Sequence, residues 1–275
     1  MSSIPESIIA LEQAEREAFT DVYHAAGPDV VAMAGLSVTP LTHSVVLAAN
    51  RIDVLALNRV LGLGLHGPVP DGSLDEVLDT LASCGSPRFF VPLAPVPGHD
   101  ALARALEGRG LRRYNNWIRL ARDLNDIPTA PPTDVQVSEI DRTSASTFGR
   151  IVATAFEYPP AVAPLAGLTV GRPGWRHYLA YDGDVPIAAA AMYLTDDAVW
   201  FGFAATDAAH RGRGAQQSLV VRRLRDAAAA GCSHVSVETA EDTVTKDAPS
   251  FRNLKRLGFK NVYTRPNYLW TNPAP

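Results

Sequence analysis

Two distant stretches of the chain follow the same order of residues, and this repetition limits the folds that the chain can adopt. Residues 105–120 (ALEGRGLRRYNNWIRL) and 253–270 (NLKRLGFKNVYTRPNYLW) each run from a short helical pattern through glycine into an aromatic-rich extended segment. In both halves a glycine-containing strand, a helix, a glycine and a second strand come before it. The order predicts an internal duplication of one α/β unit. Two unrelated α+β segments with generic patterning are the alternative.

A proline-rich segment separates the two repeats. Residues 125–134 (NDIPTAPPTD) contain three prolines among polar residues. Proline fixes φ and removes a backbone donor, so this composition favours an exposed, extended connector. We therefore predict a first domain over residues 1–127 and a second over residues 134–275.

Composition excludes several classes of function. The chain is 47% hydrophobic and 20% charged, which is typical of a globular protein with a buried core. Its net charge of −4 and the absence of dense Lys/Arg blocks predict no nucleic-acid partner. The N-terminal sequence has no signal-peptide pattern and no run of apolar residues is long enough for a bilayer, which predicts a cytoplasmic protein without membrane contact. Two cysteines and scattered histidines predict no metal site.

In the first half the patterns are weaker. Residues 53–65 favour one or two strands, and Ser73 with Glu76 has the spacing of a capping box that would begin a helix. Residues 62–67 match G-x-G-x-x-G after a strand, a pattern of dinucleotide-binding loops. That reading fails because prolines separate the third glycine from the predicted helix.

In the second half the patterns are clear. Alternation predicts strands over residues 177–181, 186–193 and 199–205, the first two joined by an Asp-Gly-Asp turn. A helix with an apolar stripe is predicted over residues 214–230. Strand 234–238 follows it.

The segment between strand 199–205 and the following helix carries the strongest functional signal. Gly212 and Gly214 allow a tight turn and a close approach of the backbone to a ligand. The first amides of a helix have no intrahelical acceptor and lie at the positive end of its dipole. Arg211 and Arg213 add charged donors, so the loop is suited to a pyrophosphate.

This strand, its small-residue end and the R-x-x-G-x-x loop opening a helix resemble motif A of the Gcn5-related N-acetyltransferases. Arg211 and Gly214 match the motif, and Gln216 stands where glycine or alanine is usual. Residues 250–259 (SFRNLKRLGF) resemble the family's next segment. The resemblance covers residues 134–270 clearly, while residues 40–120 look like a degenerate copy. It implies an α/β fold of two tandem units, each a mixed, mostly antiparallel sheet flanked by helices.

The resemblance also implies acetyl-CoA, or another acyl-CoA, as cosubstrate. Backbone groups at the end of the strand would hold the pantetheine and the acyl carbonyl, and amides of the loop and helix would hold the pyrophosphate. The cofactor-binding residues implied in this way are Ala204, Ala205, Thr206, Arg211, Gly212, Arg213, Gly214, Ala215, Gln216, Gln217, Ser218 and Asn253.

The catalytic groups are less clear, because a tyrosine that often protonates the leaving thiolate in this family would fall near Leu254. Glu238, at the end of a strand beside the cofactor, is the candidate base, and Tyr263 and Tyr268 are candidate acids. A solvated carboxylate and packing roles for the tyrosines are the alternatives. Glu157, where an acceptor loop is expected, is a further candidate with the same alternative.

These observations predict an acyl-CoA-dependent N-acyltransferase that acts on a small-molecule or peptide amine by direct transfer. A non-catalytic acyl-CoA-binding or interaction module is the rival, since the missing tyrosine would fit lost chemistry. A homodimer is left open.

Overall fold

A computed structural model describes residues 4–196, 198–243 and 247–272. It divides into two compact units. The first unit contains Met1–Trp117 together with Tyr263–Pro275, and the second contains Ile118–Val262.

These bounds differ from the predicted domains, because two long strands each begin in one unit and end in the other. They are β5, Arg112–Asp123, and β11, Lys260–Thr271. The second part of β11 pairs antiparallel with strand Arg88–Pro92 of the first unit. The prediction placed residues 263–275 in the second domain, since nothing in the sequence marks which sheet a strand joins.

The first unit is a mixed sheet with helices. Besides β11 and the start of β5, its elements are α1 Ile4–His24, α2 Pro28–Ala34, β1 Leu36–Leu41, β2 Ser44–Ala49, β3 Arg59–Leu61, α3 Asp71–Ser83, β4 Arg88–Pro92 and α4 His99–Glu107. The strands lie in the order β1-β2-β3-β4-β11, and these pairs are antiparallel except the parallel pair β3–β4.

The second unit has a sheet in the order β5-β10-β9-β8-β7-β6. Strands β6 to β9 pair antiparallel in sequence order, and β9–β10 is parallel. Its elements are β6 Gln136–Glu139, α5 Ala145–Ala155, α6 Val162–Gly167, β7 Trp175–Asp182, β8 Val185–Leu194, β9 Val199–Thr206, α7 Ala215–Ala229, β10 His234–Ala240 and α8 Pro249–Arg256, with short 3-10 turns at Arg142–Ser144 and Ala208–His210.

The predicted repetition of elements is confirmed. In each unit consecutive antiparallel pairs, two in the first unit and three in the second, are followed by one parallel pair. A helix connects the two parallel strands: α3 in the first unit and α7 in the second. The predicted strands of the second half and the helix at 214–230 are also confirmed. Leu219, Val220 and Leu224 of α7 are buried against this sheet, as the apolar stripe predicts.

The prediction of strands over residues 53–65 is mostly wrong, because only Arg59–Leu61 is a strand. Asn58 explains the difference. Its buried side chain accepts a hydrogen bond from the amide of Ala49 and donates to the carbonyl of Ile52. These bonds, which no hydrophobic pattern indicates, hold the preceding residues in turns.

The predicted capping box is also wrong. Helix α3 begins at Asp71, with Pro70 as its N-cap and no side-chain cap hydrogen bond. The carbonyl of Pro70 accepts from the amides of Ser73 and Leu74, so the proline sets the start of the helix.

Candidate functional site

Strands β9 and β10 separate at the point where the sequence places the cofactor. Their parallel pairing covers Val199–Phe201 and Val235–Val237 and then ends. Residues 202–206 of β9 therefore continue along β8, and among the described residues none of β10 pairs with them. Backbone donors and acceptors at this edge of β9 are available to a ligand.

A β-bulge lies in the same part of β9. Ala191 of β8 pairs with Gly202 and Ala189 pairs with Ala205, so one residue of β8 faces both Phe203 and Ala204. Phe203 has a positive φ of 51°, which is unusual for a residue with a side chain. The bulge changes the direction of the backbone groups next to the glycine-containing loop that follows β9.

The loop that follows β9 has the geometry that a phosphate requires. Gly212 and Gly214 have φ of 79° and 83°, and Gly214 is the N-cap of α7 without a side-chain cap hydrogen bond. Thr133 donates its hydroxyl to the carbonyl of Arg213 at 2.7 Å. The first amides of α7 thus remain available for an anion, and the loop that presents them is fixed from outside.

A cavity of about 580 Å³ lies between the end of β9, this loop, α7 and α8. Most of the predicted cofactor residues line it: Ala204, Ala205, Thr206, Arg211, Gly212, Gly214, Ala215, Gln216, Gln217 and Asn253. The structure therefore brings together, in one unit, residues that the sequence assigned to one ligand.

The lining carries positive charge. Arg211 and Arg256 contribute to it, and the lining found among the described residues includes no Asp or Glu. A basic cavity at a helix N-terminus favours an anionic ligand with several phosphate oxygens.

Gln216, the departure from the motif, does not point freely into this space. Its amide nitrogen donates to Ser250 Oγ at 2.9 Å, and its amide oxygen accepts from Asn253 at 2.7 Å. Arg256 donates to the amide oxygen of Asn253 at 3.1 Å. The amide group of Gln216, which glycine or alanine at this position would not have, thus links α7 to α8.

Two predicted cofactor residues are not in the lining. The Arg213 guanidinium forms an ion pair with Asp182, at the turn between β7 and β8. Ser218 is buried in α7, and the hydroxyl has no hydrogen-bond partner among the described residues. Arg213 was expected to donate to phosphate from its position beside the glycines, but a nearby carboxylate, distant in sequence, holds its side chain.

The candidate catalytic residues are also outside the lining. Tyr263 donates its hydroxyl to Glu12 at 2.5 Å and is buried in the first unit. Tyr268 is in the core of the same unit, with its hydroxyl 3.3 Å from Glu107. The packing alternative fits both tyrosines better than proton donation to a ligand in this cavity.

Glu238 lies one residue beyond the last β9–β10 pair. Its carboxylate is 3.6 Å from Arg119, which is fully buried. Glu157 is exposed in the loop after α5 with a positive φ of 56°. For both residues the role of base stays a prediction.

A buried histidine lies on strand β7, which is separated from β9 by β8. His177 is 1% exposed, stacks on Trp175 and contacts the edge of Phe148. Its Nε2 lies 3.1 Å from the hydroxyl of Thr169. Burial lowers the pKa of His177 to about 3, so the ring is neutral near pH 7.

Sequence reasoning missed part of the lining. The sequence predicts a helix over residues 249–257, and the spacing of three residues between Ser250, Asn253 and Arg256 places them near one another on one face of it, but only Asn253 was assigned to the cofactor. Phe156, an exposed aromatic residue after α5, carried no comparable signal.

The described residues contain no group of three His, Cys, Asp or Glu side chains that could hold a metal ion. Across the same residues, no helix is long and apolar enough to cross a membrane.

Comparison of the sequence with protein-family models gives no match, and neither does comparison with curated proteins. Solved structures do match. A GCN5-related N-acetyltransferase from Kribbella flavida has a TM-score of 0.66 and 16% identity, over 97% of this chain and 96% of that chain. One from Sphaerobacter thermophilus has a TM-score of 0.59 and 16% identity, over 84% and 81%. A tandem GNAT protein from the clavulanic acid biosynthesis pathway has a TM-score of 0.56 and 14% identity, over 84% and 79%.

The chain therefore has the fold of the GCN5-related N-acetyltransferases, and the resemblance drawn from the sequence is confirmed at the level of the fold. The predicted α/β class, with mixed sheets flanked by helices, is confirmed with it.

Proposed function

We propose that the chain is an N-acyltransferase that transfers an acyl group from acetyl-CoA, or another acyl-CoA, to an amine of a small molecule or peptide. The observation that carries the proposal is the basic cavity that joins the separated edge of β9 to the N-terminus of α7. At the β9 end of the cavity, backbone groups can bind the amides of the pantetheine and the acyl carbonyl. At the α7 end, helix amides and arginine side chains can bind the phosphates.

The residues of the cavity fit this cosubstrate. The amides at the start of α7, with Arg211 and His210, would hold the pyrophosphate. Arg256 would meet a further phosphate, and the backbone of Ala204–Thr206 would orient the pantetheine. The bound group supplies a thioester that an amine attacks directly.

In this chemistry the protein positions the reactants and stabilises developing charge on the carbonyl oxygen through backbone donors. The amine must lose a proton, to Glu238 or to ordered water, before or during attack. The lining found among the described residues contains no tyrosine, and Leu254 is buried in the core. We therefore propose that water protonates the leaving thiolate, which is a stable anion at its ordinary pKa of about 8.5.

The test is release of free CoA thiol from acetyl-CoA with a panel of small amines and peptide N-termini. Amine-dependent release, abolished by omitting the protein, supports the proposal. Tight CoA binding without release for any acceptor contradicts catalysis and favours the binding module. The rate should rise with pH as the amine deprotonates and show no falling limb near pH 9–10.

A further inference from the structure

Arg223 is a buried cation in the middle of α7, on the face that packs against the sheet. It is 1% exposed, and burial of the guanidinium away from water lowers its pKa. Among the described residues no carboxylate pairs with it. Its Nη1 donates to the carbonyl of Ala191 at 2.9 Å, and its Nε donates to the carbonyl of Leu219. The guanidinium also lies 4.2 Å above the ring of Phe201. A buried charge without a counter-charge is costly, whereas an apolar side chain here would extend the stripe of α7.

The contacts of Arg223 surround the β-bulge. Ala191 is the first paired residue of β8 after the bulge, and its partner Gly202 directly follows Phe201. The carbonyl that Arg223 binds is thus at the point where the regular ladder of β8 and β9 breaks. A guanidinium can donate a hydrogen bond to the carbonyl of Ala191 and at the same time stack on the ring of Phe201, which holds that ring beside α7.

Aromatic packing holds the other face of the same bulge. The ring of Phe203 lies 6.0 Å from that of Trp175 and 6.0 Å from that of Trp200. Successive residues of a strand point to opposite faces, so Phe201 and Trp200 anchor the strand on its two sides just before the bulge. The backbone of Ala204, which lines the cavity, is set by these two anchors.

We propose that Arg223 is a positioning residue for acyl transfer, which fixes the bulge of β9 so that its backbone meets the thioester carbonyl. This inference rests on the proposed function. It separates two tasks along α7: the first turn anchors the phosphates, and Arg223, two turns further on, sets the geometry at the reacting end.

The kinetic test compares Arg223→Met with Arg222→Met. The latter removes the neighbouring arginine, which pairs with Asp226 instead. Arg223→Met should lower kcat at least about thirtyfold, while the Kd for CoA stays within about threefold, because the phosphate loop is untouched. Arg223→Lys keeps a charged donor and should recover most of the loss in kcat. Arg222→Met should leave both values near those of the unchanged protein. Equal losses of kcat in the two Met variants, or loss of CoA binding with kcat, would overturn the assignment.

A second measurement needs no substrate. Amide hydrogen exchange at the paired residues on the two sides of the bulge, 189 and 191 of β8 and 202 and 205 of β9, should quicken at least about tenfold in Arg223→Met, while Leu179 of β7 keeps its protection. Uniform or absent change would contradict the inference. Should Arg223→Met fail to fold, Arg223→Gln, which keeps a neutral donor and loses the charge over Phe201, takes its place in both measurements. If the unchanged protein transfers no acyl group, the proposed function fails, and exchange still decides whether Arg223 holds the bulge.

Discussion

The segments that follow β3 in the first unit and β9 in the second occupy the same place in the repeated order, yet they are built differently. After β3 the chain fills the space with its own side chains, since Leu63 and Leu65 are buried. Pro68 and Pro70 then remove two backbone donors before α3 begins. After β9 two glycines with positive φ leave the amides of α7 open to a cavity. One fold thus supports a site only where the loop leaves donors, cations and space.

The largest effect is expected from a negative charge in the second of these loops. Gly214→Asp places a carboxylate where phosphate is proposed, at a positive φ, and its Cβ would lie 3.2 Å from Thr133. The affinity for acetyl-CoA should fall at least about a hundredfold, roughly 2.7 kcal/mol. Calorimetry measures it, with circular dichroism as a check of folding.

Gly67→Asp is the matched change in the first loop, at another glycine with positive φ and with no atom near its Cβ. It should leave the affinity for acetyl-CoA unchanged, because we predict that the first unit binds no CoA. A loss in Gly67→Asp as large as that in Gly214→Asp would remove the difference between the two loops.

Lowering the pH should reduce the stability of the folded protein through His177, a buried histidine of the second unit. An exposed histidine of the first unit serves as the comparison. The pKa of His177 is about 3 in the folded protein and about 6.5 when unfolded, so the unfolded state takes up the proton first as pH falls. Stability from neutral His177 is therefore full above pH 6.5 and is lost toward pH 3, by about 2 kcal/mol between pH 7 and 5.

Replacement of this histidine by an uncharged residue should flatten that dependence. Denaturant titrations of His177→Gln at pH 7 and 5 measure it, and His66→Gln, in the exposed loop of the first unit, is the control. If the slope with pH is the same in all three proteins, His177 is not the group that titrates.

A smaller effect is expected from loss of the side-chain link between α7 and α8. The first unit has no equivalent link, because Gly72 stands at the second position of α3, where α7 has Gln216. Gln216→Ala and Asn253→Ala should each weaken acetyl-CoA binding by about 1 kcal/mol. In the double variant the losses should fall short of additivity by at least about 0.5 kcal/mol. Strict additivity would show that the hydrogen bond between the two side chains does not organise the cavity.

The smallest effect concerns two tyrosines of the first unit. Tyr263→Phe and Tyr268→Phe remove hydroxyls that contact Glu12 and Glu107, so each should lower thermal stability more than catalysis. We expect kcat within about threefold, less than 1 kcal/mol of barrier. A hundredfold fall in kcat with acetyl-CoA binding preserved would make that tyrosine the acid and refute protonation by water.

The second unit was largely predictable because its signals are local. Strand alternation, the two glycines and the apolar stripe of α7 depend on residues close together in sequence. The prediction for Arg213 failed because its partner, Asp182, is distant in sequence. The prediction at residues 52–58 failed because the side chain of Asn58 bonds nearby backbone groups, which hydrophobic alternation does not report. The contacts of Tyr263 and Tyr268 with Glu12 and Glu107 were not predicted either, since periodicity does not tell which carboxylate a tyrosine will meet.

The exchange of strands between the units has a consequence for the order of folding during synthesis. Residues 267–271 of β11 pair with β4, but they leave the ribosome only after the whole second unit has been made. Until then the outer edge of β4 carries unpaired backbone groups that could recruit another chain. The second unit can close first, while the first unit waits for the strand that completes it.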